Sequence, residues 1–365
     1  MLWGGRMKKI GVLTSGGDCS GLNAAIRAVA LRARQLNIET VGVINSTVGL
    51  LERPVTHINF NNDNFSLHPL LSQSGTILGT VNKGNPFDYP LPDGTFKDVS
   101  DDMVEGYRQL GLDAIIIIGG DGSMEIIGKL AKKGNIPFIG IPKTIDNDVP
   151  GTDFPIGFHT AVATNTSIIN ELHYTAKSHN RVIIVEVMGR DAGHLALHSG
   201  LASGAHAILL PELPYNLNNT IQAVRDIHKK NGYGIIVCSE AMIEQNKESS
   251  FIKNIDNKKI FTGAAQKLAD SISKVDKSID IRVNTLSHIQ RSNPTVAFDK
   301  LIATNLGVEA VNAIVAGKSN ELLGWKDNKV ISTALDVVLS SEYQNVKSDN
   351  QNLITARNLG IYLGE

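Results

Sequence analysis

The stretch "IIIIGGDGSMEI" (residues 115–126) decides the fold of this 365-residue chain. Four isoleucines end abruptly at two glycines, an aspartate and a third glycine. A short run that is almost wholly apolar is typical of a parallel strand covered on both faces. Ligands of doubly wound sheets bind beyond the carboxyl ends of such strands. The polar loop that follows the isoleucines is therefore the first place to look for chemistry.

Similar apolar runs alternate with helical patterns along the rest of the chain. This alternation predicts an α/β protein with mostly parallel sheets and right-handed crossovers. The predicted strands are residues 10–13, 41–44, 114–118, 138–141, 182–187, 207–210 and 235–237. The predicted helices are residues 22–35, 101–110, 123–132, 159–174, 218–229 and 296–316.

Composition excludes several classes of function. The chain is 42% hydrophobic and 19% charged with a formal net charge of -1, which is ordinary for a globular protein and unlike a basic nucleic-acid binder. No apolar run approaches the roughly 20 residues that span a bilayer. The initial "MLWGGRMKKI" is too short for the apolar region of a signal peptide, and we interpret it as stray residues before a start at Met7. Cys19 and Cys238 lack metal-ligand spacing, which favours a reducing cytoplasm.

The first strand leads into "TSGGDCSGLNAAI" (residues 14–26). Gly16 and Gly17 would let backbone N–H groups approach an anion, and the helix from Leu22 would direct its positive end the same way. A plain tight turn between strand and helix is the alternative.

Asp121 is the unusual residue of the polar loop that follows the four isoleucines. A carboxylate beside a bound triphosphate is repelled unless a cation lies between them, and Mg²⁺ held by one carboxylate and phosphate oxygens fits that arrangement. The alternative is a turn aspartate that closes an Asx-turn. Ser123 is expected either to cap the next helix or to bind a phosphate.

A third strand exit reads "PKTIDNDVPGTD" (residues 142–153). Asp146 and Asp148 lie two residues apart, just after Lys143 and Thr144. Two carboxylates on one loop can divide proton removal from metal or water contacts. A solvated polar loop closed by Pro150 and Gly151 is the alternative.

Later strand exits carry further polar residues. Arginine binds phosphate through its planar fork of donors, and glutamate accepts hydrogen bonds from hydroxyls, so these residues suit a phosphorylated sugar. Each charged residue among them, taken alone, is more often part of a surface or interdomain ion pair. They are Met188, Gly189, Arg190, Glu240, Arg282, His288 and Arg291.

Taken together, these loops resemble those of the 6-phosphofructokinase family. The matching strings are "GVLTSGGDCSGLNAAIR", "IIGGDGS", "PKTIDNDVPGTD", "GFHTA", "RVIIVEVMGRDAGHLAL" and "LSHIQR". "TIDND" together with "EVMGR" is far more specific than a glycine-rich loop. The resemblance implies two Rossmann-like α/β domains with mostly parallel sheets. Residues 7–157 with about 290–345 would bind the donor, and 158–289 with about 346–365 the sugar phosphate.

The resemblance also implies phosphoryl transfer to the 1-hydroxyl of fructose 6-phosphate in glycolysis. Asp146 would be the base, with Thr144 and Arg190 as further catalytic residues, and Asp121 would bind Mg²⁺. The implied donor-binding residues are Gly17, Asn82, Lys83, Gly120, Asp121, Gly122 and Ser123. The implied sugar-phosphate residues are Thr144, Ile145, Asp146, Met188, Gly189, Arg190, Glu240, His288 and Arg291. Arg181 and Arg282 would reach a neighbouring subunit's site, which implies a homo-oligomer, most often a tetramer.

Two positions bear on the phosphoryl donor. In this family a glycine at Gly122 leaves room for the α-phosphate of ATP, whereas an aspartate there favours pyrophosphate. Lys143 stands where pyrophosphate enzymes have lysine. Steric room is the stronger constraint, so ATP is ranked first and pyrophosphate second. Leu31 and His206 depart from the bacterial effector site, which predicts weak or altered allostery.

Two rival functions remain. Lipid and NAD kinases share a "GGDG" loop, but they lack "PKTIDND" and "VMGR". A non-catalytic nucleotide or sugar-phosphate binding subunit would be expected to lose Asp121 or Asp146, and both are present.

Overall fold

The structure is a computed structural model that describes residues 7–82, 84–247, 251–253, 259–261 and 263–365. Its strands are β1 (Lys9–Ser15), β2 (Glu39–Val43), β3 (His57–Asn59), β4 (Tyr89–Pro90), β5 (Phe96–Lys97), β6 (Ala114–Gly119), β7 (Phe138–Thr144), β8 (Ile156–Gly157), β9 (Val182–Val187), β10 (Ala207–Leu209), β11 (Gly234–Ser239), β12 (Phe251–Lys253), β13 (Lys259–Phe261), β14 (Ile281–Thr285), β15 (Glu321–Lys326) and β16 (Lys329–Ala334).

The α-helices alternate with these strands. They are α1 (Leu22–Gln35), α2 (Ser100–Gln109), α3 (Asp121–Gly134), α4 (Phe158–Ser178), α5 (His194–Ala202), α6 (Leu217–Asn231), α7 (Ala264–Val275), α8 (Ala297–Val315), α9 (Leu335–Ser340) and α10 (Gln351–Asn358). In the part of the chain that the structure describes, no helix has the length and apolar character needed to cross a membrane.

The chain forms two compact units. The first unit comprises the described residues up to Thr144 together with Val149–His159 and Arg291–Tyr343. The second unit comprises Ile145–Asp148, Thr160–Gln290 and Gln344–Glu365. This division places Asp146 in the second unit, whereas the sequence grouped it with the first. The assignment of donor and sugar phosphate to the two units stays a prediction.

The first unit is built on an eight-stranded sheet with the order β16-β15-β7-β6-β1-β2-β3, and β8 pairs with β7. The pairs from β15 to β2 are parallel, and β16 and β3 are antiparallel edges. The quoted isoleucines form β6 at the centre of this sheet. Ile115 and Ile117 pack into one hydrophobic cluster, while Ile116 and Ile118 are fully buried as well. Burial on both faces explains the unbroken apolar run.

The second unit is built on a four-stranded parallel sheet with the order β10-β11-β9-β14. Alternate residues of β9 enter two different clusters. Ile183 and Val185 belong to one, and Val182 and Ile184 belong to the other. Side chains of a strand point alternately to opposite faces, so this sheet also has a hydrophobic layer on each side.

The seven predicted strands and six predicted helices are all present; β9 and α1 have the predicted bounds, and the others have shifted ends. The helix predicted from residue 123 begins at Asp121, and Gly120 is its N-cap residue without a side-chain cap bond. The expectation that Ser123 caps this helix is therefore wrong. The sequence did not predict α5, α7, α9 and α10 or, among the described strands, β3, β4, β5, β8, β12, β13, β14, β15 and β16.

Candidate active site

Three predicted loops leave neighbouring strands of the first unit. The strands β7, β6 and β1 are adjacent and parallel, so their carboxyl ends lie at one edge of the sheet. The loop after β1 contains Gly16 and Gly17, and β6 leads through Gly120 to Asp121. The strand β7 ends at Thr144. The topology therefore brings all three exits to the edge where ligands of such sheets bind.

Gly16 is the point at which these three exits converge. Its φ is +83°, in the left-handed region that favours glycine. A Cβ atom built on Gly16 would lie 3.0 Å from Ser123 Oγ and 3.1 Å from Lys143 Nζ. Any side chain here would displace a residue from one of the other two loops. The glycine thus permits close approach of the three loops.

Lys143 points into the protein. It is 3% exposed, and its Nζ donates a hydrogen bond to the carbonyl oxygen of Gly17. The ammonium group therefore lies directly under the loop predicted to bind phosphate. A buried positive charge at this place favours an anionic ligand.

Arg291 adds a second positive charge to the same loop. Its Nη1 donates to the carbonyl oxygen of Asp18 over 2.9 Å, and a Cβ on Gly17 would lie 3.0 Å from that nitrogen. The resemblance assigned Arg291 to the sugar phosphate. In this structure its guanidinium contacts the predicted donor loop of the first unit.

The segment before Asn82 is also attached to the β1 loop. Gly16 N–H donates to Val81 O over 3.2 Å, and Thr80 Oγ1 donates to Gly16 O over 2.6 Å. These two bonds hold Asn82, an exposed residue, beside the glycines. Lys83 lies outside the described residues.

Asp121 is the first residue of α3 and is half-buried. The helix dipole favours a negative charge in this first turn. Its Oδ2 accepts a hydrogen bond from the Tyr343 hydroxyl over 2.6 Å. The next residue, Gly122, is exposed, and a Cβ built on it meets no atom of the described chain within 4 Å.

The donor set suits magnesium bound together with phosphates. Among the described residues, no group of three or more His, Cys, Asp and Glu side chains could hold a metal ion. A protein cage for a cation is therefore missing from that part of the chain. Mg²⁺ usually takes one or two carboxylates, with substrate phosphates and water completing its octahedron. Asp121 at the phosphate-binding edge fits this requirement.

In the second unit, the loop after β7 turns sharply at Asn147. Its φ is +58°, a region that Asn adopts more readily than most residues. The backbone of Gln344 donates to Asp148 O over 2.9 Å and so holds the far side of the turn. Asp146 and Asp148 flank Asn147 and remain partly exposed. The predicted base is thus carried on a tight, anchored turn.

Three predicted residues of the second unit lie close enough to interact electrostatically. The pKa of Glu240 is raised from 4.5 to about 7. Burial is the largest cause and the negative charge of Asp146 the second, while the Arg190 guanidinium opposes the rise. The Gly189 backbone N–H also donates to the Glu240 carboxyl. Asp146, Arg190 and Glu240 therefore form one cluster at the carboxyl ends of β9 and β11. Such a group suits both proton transfer and hydrogen bonding to a sugar.

The backbone after β9 is held in an unusual conformation. Gly189 has a φ of +132°, and a Cβ on it would lie 2.8 Å from Ala192 O. Ser239 Oγ donates to Gly189 O over 2.8 Å, which ties the ends of β11 and β9 together. Met188 N–H donates to Gln290 Oε1, so this exit is also linked to the segment that carries His288. His288 itself is exposed.

Arg181 and Arg282 do not join this cluster. Arg181 directly precedes β9, and Arg282 pairs in register with Ile183 near the start of that strand. The cluster with Arg190 follows the other end of β9. Six residues at about 3.3 Å each separate the two ends by about 20 Å. Within one chain, therefore, Arg181 and Arg282 lie toward the opposite end of β9 from Arg190.

The sequence did not point to Tyr343 or Asp280, which contact predicted site residues. Tyr343 is 222 positions from Asp121, and no local pattern marks it. Asp280 pairs with both Arg181 and Arg282. Its position two residues before Arg282, on the same side of the chain, is the only sequence signal for it.

Comparison with known proteins gives concordant results. The Phosphofructokinase family profile matches residues 9–314. The ATP-dependent 6-phosphofructokinase 1 of Nostoc sp. is 44% identical over 362 residues, 99% of each chain. The enzyme of the same name from Synechocystis sp. is 43% identical over 363 residues, again 99% of each chain.

A solved structure supports the fold. The pyrophosphate-dependent phosphofructokinase from Marinobacter aquaeolei superposes with a TM-score of 0.80 at 22% identity, covering 98% of this chain and 93% of its own. At that identity the likeness concerns the fold alone, and it confirms the predicted α/β phosphofructokinase architecture. With a family profile over most of its length and relatives above 40% identity along its whole length, the chain belongs to the phosphofructokinase family.

Proposed function

We propose that this protein is an ATP-dependent 6-phosphofructokinase, which phosphorylates fructose 6-phosphate at its 1-hydroxyl to fructose 1,6-bisphosphate. The relatives from Nostoc and Synechocystis, similar along their whole length, are both ATP-dependent 6-phosphofructokinases. The structural observation that carries the choice of donor is the open space at Gly122, where a Cβ meets nothing within 4 Å of the described chain. That space accommodates the part of a nucleotide beyond its transferred phosphate.

The first unit supplies the donor-binding residues. Gly17 presents its backbone N–H group, whereas that of Gly16 donates to Val81 O, and the charges of Lys143 and Arg291 lie beneath the same loop. Asp121 holds Mg²⁺, which neutralises charge on the donor phosphates when it is bound. The further donor-binding residues are Asn82, Lys83, Gly120, Gly122 and Ser123.

The second unit supplies the residues for the acceptor. Asp146 accepts the proton of the sugar's 1-hydroxyl as the hydroxyl oxygen forms a bond to the γ-phosphorus of ATP. At the same time the bond between that phosphorus and the β,γ-bridging oxygen breaks, and ADP leaves. Arg190, which acts electrostatically on Glu240 as Asp146 does, stabilises the negative charge of the transferring group. Glu240 in its ionised form accepts hydrogen bonds from sugar hydroxyls. The proposed acceptor and catalytic residues are completed by Ile145, Met188, Gly189 and His288 of the second unit and by Thr144 and Arg291 of the first.

The position of Arg181 and Arg282 supports a homo-oligomer with shared sites. Both lie toward the amino end of the second unit's sheet; along β9, about 20 Å separate Arg181 from the carboxyl end of the strand and about 13 Å separate Arg282 from it. If they bind the sugar phosphate, it is the phosphate in a neighbouring chain's site. We propose a tetramer, the common state that the family resemblance implies.

We also propose that the enzyme acts in the cytoplasm as part of glycolysis. Its two cysteines, Cys19 and Cys238, are both buried free thiols. This state fits a reducing compartment.

A pyrophosphate-dependent activity is the second candidate, because Lys143 is the residue found in pyrophosphate enzymes. Its ammonium group is buried and donates to Gly17 O, so it acts on the loop whichever donor binds. The decisive experiment offers purified protein ATP, ADP or pyrophosphate in turn, with fructose 6-phosphate and Mg²⁺. Turnover with ATP alone is expected. Turnover with pyrophosphate alone would favour the second candidate, and binding without turnover would favour a non-catalytic subunit.

A further inference from the structure

Tyr343 lies outside the family motifs and contacts the predicted magnesium ligand, Asp121. Its hydroxyl donates to Asp121 Oδ2 over 2.6 Å. A hydrogen bond to an ionised carboxylate at that distance is short and belongs to the stronger class. Tyr343 and Asp121 both lie in the first unit. The contact is therefore made within a single compact unit.

The helix that precedes Tyr343 is fixed against the helix that carries Asp121. A Cβ on Gly128 of α3 would lie 2.8 Å from Leu335 Cδ2, so α9 approaches α3 closely at this glycine. Leu335 is 1% exposed and belongs to the hydrophobic cluster that also contains Ile127 of α3. Lys132 Nζ and Asp336 Oδ1, one on each helix, form an ion pair over 2.6 Å.

The end of α9 then directs the chain toward Asp121. Val338 is 5% exposed and packs in the same cluster. Ser341 closes the helix, since its N–H donates to Val338 O and its Oγ to Val337 O. Two residues later, Tyr343 reaches the first residue of α3. The position of the hydroxyl therefore follows from packed helices, although the Tyr343 side chain itself is half exposed.

We propose that Tyr343 is a positioning residue for the magnesium ligand Asp121, an inference that rests on the proposed function. An aspartate at the first position of a helix has freedom about its side-chain torsions, and α3 has no side-chain cap to restrict it. The tyrosine hydroxyl occupies one lone pair of Oδ2 and fixes the plane of the carboxylate. An ionised carboxylate offers about four lone-pair sites, so Oδ1 stays available to the cation or its water shell. Tyr343 thereby prepares Asp121 for a nucleotide that arrives with Mg²⁺.

The test removes the hydroxyl and keeps the ring. Tyr343→Phe is expected to weaken binding of Mn²⁺ in the presence of a non-hydrolysable ATP analogue about fivefold to tenfold, as loss of one charge-assisted hydrogen bond predicts. The Mn²⁺ titration is followed by electron paramagnetic resonance, independently of turnover. In assays, KM for magnesium–ATP should rise by a similar factor, while KM for fructose 6-phosphate stays within about twofold. Affinity for the analogue without metal should be unchanged.

Two controls separate positioning from a structural role. Tyr174→Phe removes another exposed tyrosine hydroxyl, from the second unit, and should leave Mn²⁺ affinity unchanged. In an Asp121→Asn background, Tyr343→Phe should add no further loss, because its partner no longer ligates the metal. Unchanged Mn²⁺ affinity in Tyr343→Phe overturns the proposal, as does an equal loss of metal-free analogue binding. If the unaltered protein fails to phosphorylate fructose 6-phosphate, the proposed function fails, while the Mn²⁺ titration still decides the role of Tyr343.

Discussion

Arg181 Nε lies 2.6 Å from Asp280 Oδ2 at the amino end of the parallel sheet in the second unit. The other oxygen of the same carboxylate lies 2.8 Å from Arg282 Nη1. One aspartate thus holds the two arginines that the family resemblance assigns to a neighbouring subunit's substrate. Because both guanidinium groups pair with one carboxylate, Asp280 holds two positive charges close together at this end of the sheet.

This arrangement predicts complementation between two inactive variants. Asp146→Asn lacks the base, and Arg181→Ala lacks an arginine that serves the neighbouring site. In a mixed oligomer, an Arg181→Ala chain supplies the base and an Asp146→Asn chain supplies the arginine, so some sites are intact. Random mixing of equal amounts should restore about a quarter of the sites in each isologous pair. Activity measured after dissociation and reassembly checks this expectation.

The matched control pairs Asp146→Asn with Glu240→Ala. These two residues belong to one cluster of the same unit, so no mixed oligomer contains an intact site. Activity should stay at the level of the separate variants. Mixed oligomers verified by mass that show no recovery with Arg181→Ala would contradict shared sites.

Asp146→Asn should abolish most turnover and spare binding. General-base catalysis contributes roughly 10²- to 10⁴-fold to a rate, so kcat should fall by about that factor. Asparagine keeps the size of the side chain, and calorimetric titration should show nearly unchanged affinities for both substrates. Asp153→Asn, the same change at an exposed residue seven positions further on, should leave kcat within about twofold. Equal kcat values for the two variants would remove Asp146 from the base role.

The sequence predicted the sheets well because their strands are buried on both faces. In β6 and β9 every residue is buried, so an apolar run alone identifies the strand. The strand β14 was not predicted, since its five residues are only half-buried or exposed and its sequence "IRVNT" is mixed. The helix α5 escaped prediction for the opposite reason. Six of its nine residues are buried, so it lacks a polar face that would mark a helical period.

The site could be predicted only where its residues follow strands. Asp121, Asp146 and Arg190 stand at strand exits, where topology alone gathers polar groups. Tyr343 reaches Asp121 through the packing of α9 on α3, and the pairing of Asp280 with two arginines depends on the register of β14 beside β9. Such contacts between residues far apart in sequence arise from tertiary packing, so no local sequence pattern predicts them.

Glu240 should make stability fall as pH rises toward neutrality. Its folded pKa of about 7 lies above its ordinary value of 4.5, so the folded chain binds more protons than the unfolded chain between these values. The stability that the protonated Glu240 contributes to the folded chain is fully present below about pH 4.5 and is lost as pH rises through 7. Glu240→Gln mimics the protonated acid at every pH. The thermal midpoint of this variant should equal that of the unaltered protein at pH 4 and exceed it by about 2–4 °C at pH 8.

Comparing the two proteins at each pH isolates Glu240 from other titrating groups. Desolvation lowers the pKa values of the buried His194 and the half-buried His198, so the variant and the unaltered protein lose stability in the same way as pH falls through that range. Glu171→Gln, at an exposed glutamate, should show the same midpoint difference at both pH values. A Glu240→Gln variant less stable than the unaltered protein at pH 8 would mean that the carboxylate is well solvated in the folded chain.

Gly122→Asp should change the donor without disturbing the fold. A Cβ at this exposed position meets no described atom within 4 Å, and a carboxylate in the first turn of α3 interacts favourably with the helix dipole. The thermal midpoint should therefore be equal or slightly higher. The new side chain projects where the rest of the nucleotide would lie, and its charge repels the α-phosphate. KM for ATP should rise at least about tenfold, as loss of about 1.4 kcal/mol of binding would produce.

Gly122→Ala separates the steric part of this effect from the electrostatic part. A methyl group occupies little of the open space, so its KM for ATP should rise no more than about threefold. Pyrophosphate ends where the α-phosphate of ATP would begin, and it therefore escapes the obstruction. The ratio of kcat/KM for pyrophosphate to that for ATP should increase in Gly122→Asp and stay constant in Gly122→Ala. If Gly122→Asp keeps the KM for ATP of the unaltered protein while its fold is intact, the nucleotide does not pass this glycine, and the choice of ATP must rest on other residues of the loop.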